Sequence, residues 1–546
     1  MTKNIFILLT VVFSCSCSEK KETADLILHH AHIYSVDSSF MVYEAMAIKD
    51  GKIIELNTSA EILKKFTAKE INDLEGKAVF PGFIDAHCHF TGYATDMWKC
   101  NLTGTKSFEE VIEKIKNYSG NAPMRWIYGR GWDQNDWEIK EFPDKKNLDA
   151  LFPDRPVFLK RIDGHAALVN QKALDLAGIN ASTKIAGGTV ELKNGKLTGI
   201  LIDNAMDLVD LKIPSISDSL ARIYYKKAQE ICFALGLTGV HDCGVTEHTV
   251  NLIDQEQKSG KLKIKIFALL NNDSTYYAKW IKKGIYKTDR LTVGGFKVYA
   301  DGALGSRGAC LLHPYNDKPG WSGFLLTDAK QLEAIAERLI NSPFQMCTHA
   351  IGDSANRYIL NIYAAVLKGK NNRRWRIEHA QVVAPGDFDL FGKYGIIPSV
   401  QPTHATSDMY WAGERLGKER LKYAYAYKDL LNKAGVAALG TDFPVEDISP
   451  FKTFFAAVER QDNKGFPRGG FQKENALRRK EALKGMTIWA AYSGFEEKEK
   501  GSLEKNKAAD LIILDTDIIK CDPEKILSTK VLATYVNGEK VFSRNK

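Results

Sequence analysis

Val79-Phe80-Pro81-Gly82-Phe83-Ile84-Asp85-Ala86-His87-Cys88-His89 is an apolar run that ends in a His-Cys-His triplet. Strands buried on both faces read as continuous apolar runs, so this stretch predicts a central strand of a parallel sheet. Two histidines two apart on a strand point to the same side, which pairs His87 with His89 and turns Cys88 the other way. A His-x-His also arises among ordinary core or surface residues in a chain with twelve histidines. Its meaning therefore depends on what the rest of the chain brings to it.

Seven further apolar runs follow: LTGVHDC (237–243), KIKIFALL (263–270), LTVGGFKVYA (291–300), FQMCTHA (344–350), RWRIEHA (374–380), GIIPSVQ (395–401) and VAALGTD (436–442). Amphipathic stretches such as 219–236 and 328–341 lie between many of them. Eight strand-helix units predict an α/β fold, a (β/α)8 TIM-type barrel spanning about 79–495. The interval between the first and second runs is far longer than the others and carries its own strand-like pieces at 125–133, 155–170 and 187–203. It predicts a large insertion after the first barrel strand, about 98–215, placed over the barrel mouth.

The two chain ends share a different texture. Short alternating runs at 26–36, 45–56 and 71–80 are matched by 509–517 and 531–542, with hairpin signals at Asp50-Gly51 and Asn537-Gly538. Neither end alone could bury its faces, so a small β-sandwich built from 23–78 and 496–546 is expected.

The composition, 44% hydrophobic and 26% charged with a net charge of +8, is that of a globular protein with a sizeable core. Basic clusters such as Lys145-Lys146 and Arg478-Arg479-Lys480 sit beside acidic residues and read as solvated faces, so no nucleic-acid partner is expected. Residues 1–22 read as a lipoprotein-type signal and tether: Lys3, an apolar stretch Ile5–Phe13 too short to span a bilayer, then Ser14-Cys15-Ser16-Cys17. Cys15 is the expected lipidation site and Cys17 the alternative. This predicts an exported protein of a bacterial cell envelope, periplasmic or on the surface, held to the membrane by an N-terminal lipid. The remaining cysteines are scattered and odd in number, with no CxxC pair, which argues against a disulfide framework or a thiolate zinc site.

Nearly every run ends in a residue with ligand chemistry. The fourth carries Lys297 and leads into Asp301 and Arg307, the fifth ends at His349, the sixth at His379, and the eighth at Asp442. The C-terminal ends of barrel strands converge on one mouth, where barrel enzymes do their chemistry. Imidazole and carboxylate donors together form the ligand set of a catalytic zinc site. His29, His30, His32, His248, His313 and His404 take no such place in the pattern.

PGFIDAHCH, the strand-end Lys297, THAIGD, RIEHAQ, GTDFP and GSLEKNKAADLIILD together resemble the amidohydrolase superfamily. DGALGSR and the insertion motif DGHAALVN resemble the branch that includes N-substituted formamide deformylase. The resemblance spans nearly the whole chain beyond the signal. It implies that His87, His89 and Asp442 bind one divalent metal and His349 and His379 a second, zinc being expected. Lys297 would bridge them as a carbamate formed with carbon dioxide, the alternative being an unmodified lysine beside a single metal. Asp442 would also be catalytic, taking a proton from metal-activated water and passing it to the leaving nitrogen. His165, in DGHAALVN, would contact the substrate or stabilise the oxyanion, the alternative being a place in the insertion's own core. Asp301 and Arg307 would bind substrate or orient the loop after the fourth strand, and His241 and Asp242, which end the second run, would stand behind the site. The activity implied is hydrolysis of a non-peptide C–N bond in a small amide-type substrate: an N-substituted formamide, an N-acyl or a cyclic amide. A mononuclear deaminase-like hydrolase and a non-catalytic envelope binding lipoprotein are the alternatives. A homo-oligomer is left open.

Overall fold

The computed structural model describes residues 21–120, 125–214 and 216–544. Cys15 and Cys17 lie outside the described residues. The barrel strands are β1 (Phe83–Cys88), β2 (Leu237–Val245), β3 (Lys265–Asn271), β4 (Leu291–Tyr299), β5 (Gln345–Ala350), β6 (Arg376–His379), β7 (Ile397–Val400) and β8 (Ala438–Leu439), all parallel and adjacent in chain order. These are the eight apolar runs. β8 is only two residues long, and the barrel closes just beyond it. Asp442 N–H donates to the His87 carbonyl at 2.8 Å and His89 N–H to the Phe443 carbonyl at 2.9 Å. A Cβ at Gly440 would lie 2.5 Å from the His87 nitrogen, so this close approach requires glycine.

The opening run divides into two strands. Ala78–Pro81 joins a sheet made with the C-terminal strands, and only Phe83–Cys88 enters the barrel. Pro81 has no N–H to continue a ladder, and the next N–H, of Gly82, donates to Asp510 in the end sheet.

Both chain ends build the expected sandwich. One sheet holds Lys52–Asn57, Ala45–Lys49, Glu22–His29 and Phe66–Asp73 in that order. The other places the C-terminal strands Glu539–Ser543, Val531–Val536 and Leu511–Leu514 beside Ala78–Pro81, His32–Tyr34 and Val42–Tyr43. Leu26, Leu28, Ile48 and Ile53 of the first sheet pack with Val79, Leu511, Ile513 and Tyr535 of the second. The hairpins turn at Asp50-Gly51 and Asn537-Gly538, each with both residues at positive φ, as a two-residue type I′ turn requires. A buried ion pair ties the sandwich to the barrel. Lys265, at the first residue of β3, donates to Asp510 at 2.7 Å and to the Asn537 side chain at 2.6 Å. That is the N-terminal end of the barrel, opposite the site.

The insertion between β1 and β2 forms its own sheet, in the order Gly188–Lys193, Lys196–Asp203, Ala166–Val169, Val157–Arg161, Ile127–Trp132 and Cys100–Asn101. Trp132 and Trp137 are buried in its core with Leu159 and Leu168, so they pack the insertion itself. No helix among the described residues is long and apolar enough to cross a membrane.

Candidate metal centre

His87 and His89 converge as their spacing demands, their Nε2 atoms lying 3.5 and 3.3 Å from Asp442 Oδ1. Cys88 faces the packing, its thiol 3.5 Å from the His241 carbonyl. His379, at the end of β6, brings its ring centroid to 4.7 Å from His87 and 4.5 Å from His349 of β5. Lys297 of β4 places Nζ 3.2 Å from His87 Nε2. The strand-end residues named from the sequence therefore meet at one mouth. Apart from the partly exposed His89, all are nearly inaccessible. Both His379 and Asp442 have positive φ, 73° and 64°, at the point where their strands end. Non-glycine residues held there are strained, and such strain collects at functional sites.

One donor atom each from His87, His379 and Asp442 lie within 4.8 Å of one another. His349 Nε2, His379 Nδ1 and Asp442 Oδ1 are buried without a hydrogen-bond partner among the described residues. A buried polar atom without a partner is costly, and bound cations at this mouth would satisfy them. Burial, followed by the Lys297 charge, pushes His87 down to about 4, and burial with neighbouring histidines takes His349 and His379 well below their ordinary value. Neutral imidazole is the form that ligates metal. These residues fit a divalent ion.

Support comes from His241, expected from the end of the second run, and from Glu378 and Arg376, which the strand-end pattern does not single out. Glu378 accepts from His87 Nδ1 at 2.5 Å and from Arg376 Nε at 2.6 Å, and Arg376 donates onward to His241 Nδ1 at 2.8 Å. Arg376, Glu378 and His241 are all fully buried. The carboxylate fixes the His87 tautomer, leaving Nε2 for an ion. A sequence signal existed: opposite charges two apart on a strand buried on both faces share one side and must pair. Glu378→Gln is expected to weaken divalent-ion affinity about 10–100-fold and to lower thermal stability, because Arg376 loses its counter-charge. Equilibrium dialysis against a chelator and thermal unfolding would read both, and parent-like values of each would refute this role.

His404 is the second omission. It lies on the helix Pro402–Asp408 just after β7, with Nε2 3.2 Å from Asp442 Oδ2 and Nδ1 3.2 Å from Glu446. Burial would lower its pKa, but hydrogen bonds to the two carboxylates hold it well above the usual value. Burial would likewise raise Asp442, yet the hydrogen bond from His404 and the closely placed His89, 3.3 Å away, hold it well below the carboxylate range. Four residues past a strand end, within QPTHAT, nothing separates His404 from an ordinary helix-start residue.

The remaining candidates are placed as follows. His165 reaches the mouth from the insertion, its ring 5.3 Å from His349 and its Nδ1 2.6 Å from Asp203. The Asp301 carboxylate is taken up by three backbone donors, Ile351, Gly352 and Cys310, at 2.8–2.9 Å. It clamps the loop after β4 to the end of β5. Arg307 pairs with Asp317 at 2.9 Å, and Arg415 pairs with the same carboxylate. Asp242 accepts from Thr91 N–H and anchors the segment after His89.

A closed eight-stranded barrel with histidine and carboxylate donors converging at the C-terminal mouth defines a metal-dependent hydrolase. The chain belongs to the amidohydrolase family, whose model matches residues 70–542. It is 35% identical to Protein LONG AFTER FAR-RED 3 of Arabidopsis thaliana, the match covering 95% of this chain and 92% of that protein. It is 28% identical to N-substituted formamide deformylase of Arthrobacter pascens, over 95% of this chain and 98% of that one. Among solved structures, an uncharacterized metal-dependent hydrolase from Pyrococcus horikoshii OT3 superposes with a TM-score of 0.74 at 31% identity, covering 91% of this chain and 99% of that chain.

Proposed function

We propose that this protein hydrolyses a non-peptide C–N bond in a small amide-type molecule, an N-substituted formamide or another N-acyl amine. The observation that carries the reading is the buried convergence of His87, His379 and Asp442, with Lys297 against His87. Similarity along nearly the full chain to an enzyme named for formamide deformylation supports the substrate class. In this reading His87, His89 and Asp442 would hold one zinc ion and His349 and His379 a second, with Lys297, as its carbamate, supplying a further anionic donor. Bound divalent ions supply Lewis acidity and a water acidic enough to act as nucleophile near neutral pH.

The chain's own residues supply the proton handling. Asp442 Oδ1 has no hydrogen-bond partner among the described residues, while Oδ2 is held by His404. The carboxylate is thus oriented with one oxygen available to accept a proton from the nucleophile and return it to the departing nitrogen. His165, kept in place by Asp203, presents its other ring edge to the mouth as a donor for the carbonyl oxygen. Burial of the mouth excludes bulk water and strengthens these contacts.

A mononuclear, deaminase-like hydrolase is the second reading. It draws on the compactness of the His87, His379 and Asp442 trio, which suits a single ion. Assaying zinc-loaded protein against N-substituted formamides, N-acyl amines, N-acyl amino acids, hydantoins, amidines and lactones separates the readings. Release of a free amine and a carboxylic acid from the open-chain amides is expected. Ammonia release from cyclic amidines alone would select the second reading, and turnover of lactones only would refute C–N cleavage.

A further inference from the structure

The outer sheet of the sandwich carries a second group of metal-binding side chains, none of which belongs to the barrel mouth. His29 ends the strand Glu22–His29, and Asp73 ends its parallel neighbour Phe66–Asp73, the two residues lying opposite each other in register. One donor atom each from His29, His30 and Asp73 lie within 4.8 Å of one another. Consecutive side chains on a strand point to opposite faces, so adjacent histidines do not normally meet. Here His30 has φ +51°, which ends the strand and brings its ring to 4.5 Å from that of His29.

We propose that His29, His30 and Asp73 form a surface site for a divalent transition-metal ion of the kind that accepts imidazole and carboxylate together, Zn2+ in the first instance. His30 Nδ1 and Asp73 Oδ2 are 2.8 Å apart. Two donors, each about 2.1 Å from a tetrahedral zinc ion, stand about 3.4 Å apart, so this edge needs to open by only about half an ångström to chelate one. A plain ion pair would account for His30 and Asp73 but not for His29. The half-buried His29 has an inaccessible Nδ1 without a hydrogen-bond partner among the described residues. The outer two side chains are reachable from solvent, His30 being 57% and Asp73 49% exposed.

The backbone around the group is tied at every step. Leu74 N–H donates to the His29 carbonyl, Gly76 N–H to the His30 carbonyl, His30 N–H to the Ser59 hydroxyl, and Glu75 N–H to the free Asp73 oxygen. The donors are thus presented by a fixed frame, which reduces the ordering that ion binding would require. An ion there would join the ends of two sandwich strands and stabilise the sheet by binding only the folded form.

The test uses the untagged full chain. Zinc bound per chain is measured by equilibrium dialysis at micromolar free Zn2+ for the parent, His30→Ala, Asp73→Asn and His248→Ala. His248 makes a comparable exposed pair with Asp218, 2.8 Å apart, but has no second histidine beside it. The expected result is a loss of about one equivalent in His30→Ala and Asp73→Asn and none in His248→Ala, with amidase turnover unchanged in all three. The parent and His248→Ala should share a Cu2+ electron paramagnetic resonance component with two-nitrogen coordination, separate from that of the barrel centre, that is lost in His30→Ala. Repeating the comparison in an Asp442→Asn background keeps the outcome independent of the barrel centre. Equal zinc counts in parent and His30→Ala overturn the proposal, as does an equal loss in His248→Ala, which would mark generic surface-histidine binding. Circular dichroism of each variant confirms that a lost equivalent is not a lost fold.

Discussion

Asp442→Asn is expected to lower kcat by at least about 10^3-fold while the chain remains folded, since loss of a general base alone removes about 10^2–10^4-fold. The carboxylate lies 3.3 Å from His89 Nε2 and 3.5 Å from His87 Nε2 through one oxygen, and 3.2 Å from His404 through the other. An amide of the same shape keeps the packing but carries no charge for an ion and cannot take a proton at that oxygen. Two functions fail together, so the effect should exceed that of losing either one. His404→Gln is the informative companion. It releases Oδ2 without removing the carboxylate, so ion content should persist while kcat falls more modestly. Turnover in Asp442→Asn within tenfold of the parent, on any amide the parent hydrolyses, would remove the carboxylate from the chemistry.

The legibility of this chain follows its physics. Strands enclosed by helices on one side and a packed barrel interior on the other are apolar along most of their length, so most of the eight appear as continuous runs. The C-terminal ends of those runs could be read because the barrel brings them to one mouth whatever the loops do. The division at Pro81 was not legible, because the strand on each side of it is apolar and only the pairing with Leu511–Leu514 separates them. Glu378 was hidden by its neighbour: in RIEHA the histidine attracts a functional reading, while the charged pair inside the barrel resembles interrupted periodicity. His404 and His165 depend on where a helix and an inserted sheet settle against the mouth. That placement is set by long-range contacts such as Asp203 against His165; DGHAALVN marked His165 only through its likeness to a family motif, and nothing local marked His404.

Lys297 decides between the two forms of the centre, and Lys297→Ala is expected to lower both ion content and turnover, the latter by about 10^2–10^3-fold. The lysine is buried with Nζ 3.2 Å from the ring nitrogen that His87 offers to an ion. An ammonium there has no lone pair to donate and repels a cation sharing the same donor. Addition of its neutral amine to carbon dioxide forms an N–C bond and releases a proton. The product is an anionic group whose two oxygens would add to the donors that His87, His349 and His379 supply. In the binuclear form the parent should hold roughly two zinc ions per chain and Lys297→Ala one or fewer. Formate or acetate at millimolar concentration should restore part of the activity by supplying a carboxylate in its place. 13C-labelled carbon dioxide should give a carbamate resonance in the parent that is absent from the variant. In the mononuclear form both chains hold one ion, the resonance is missing, and added carboxylate does nothing, because Lys297 then acts only as a charge beside the site.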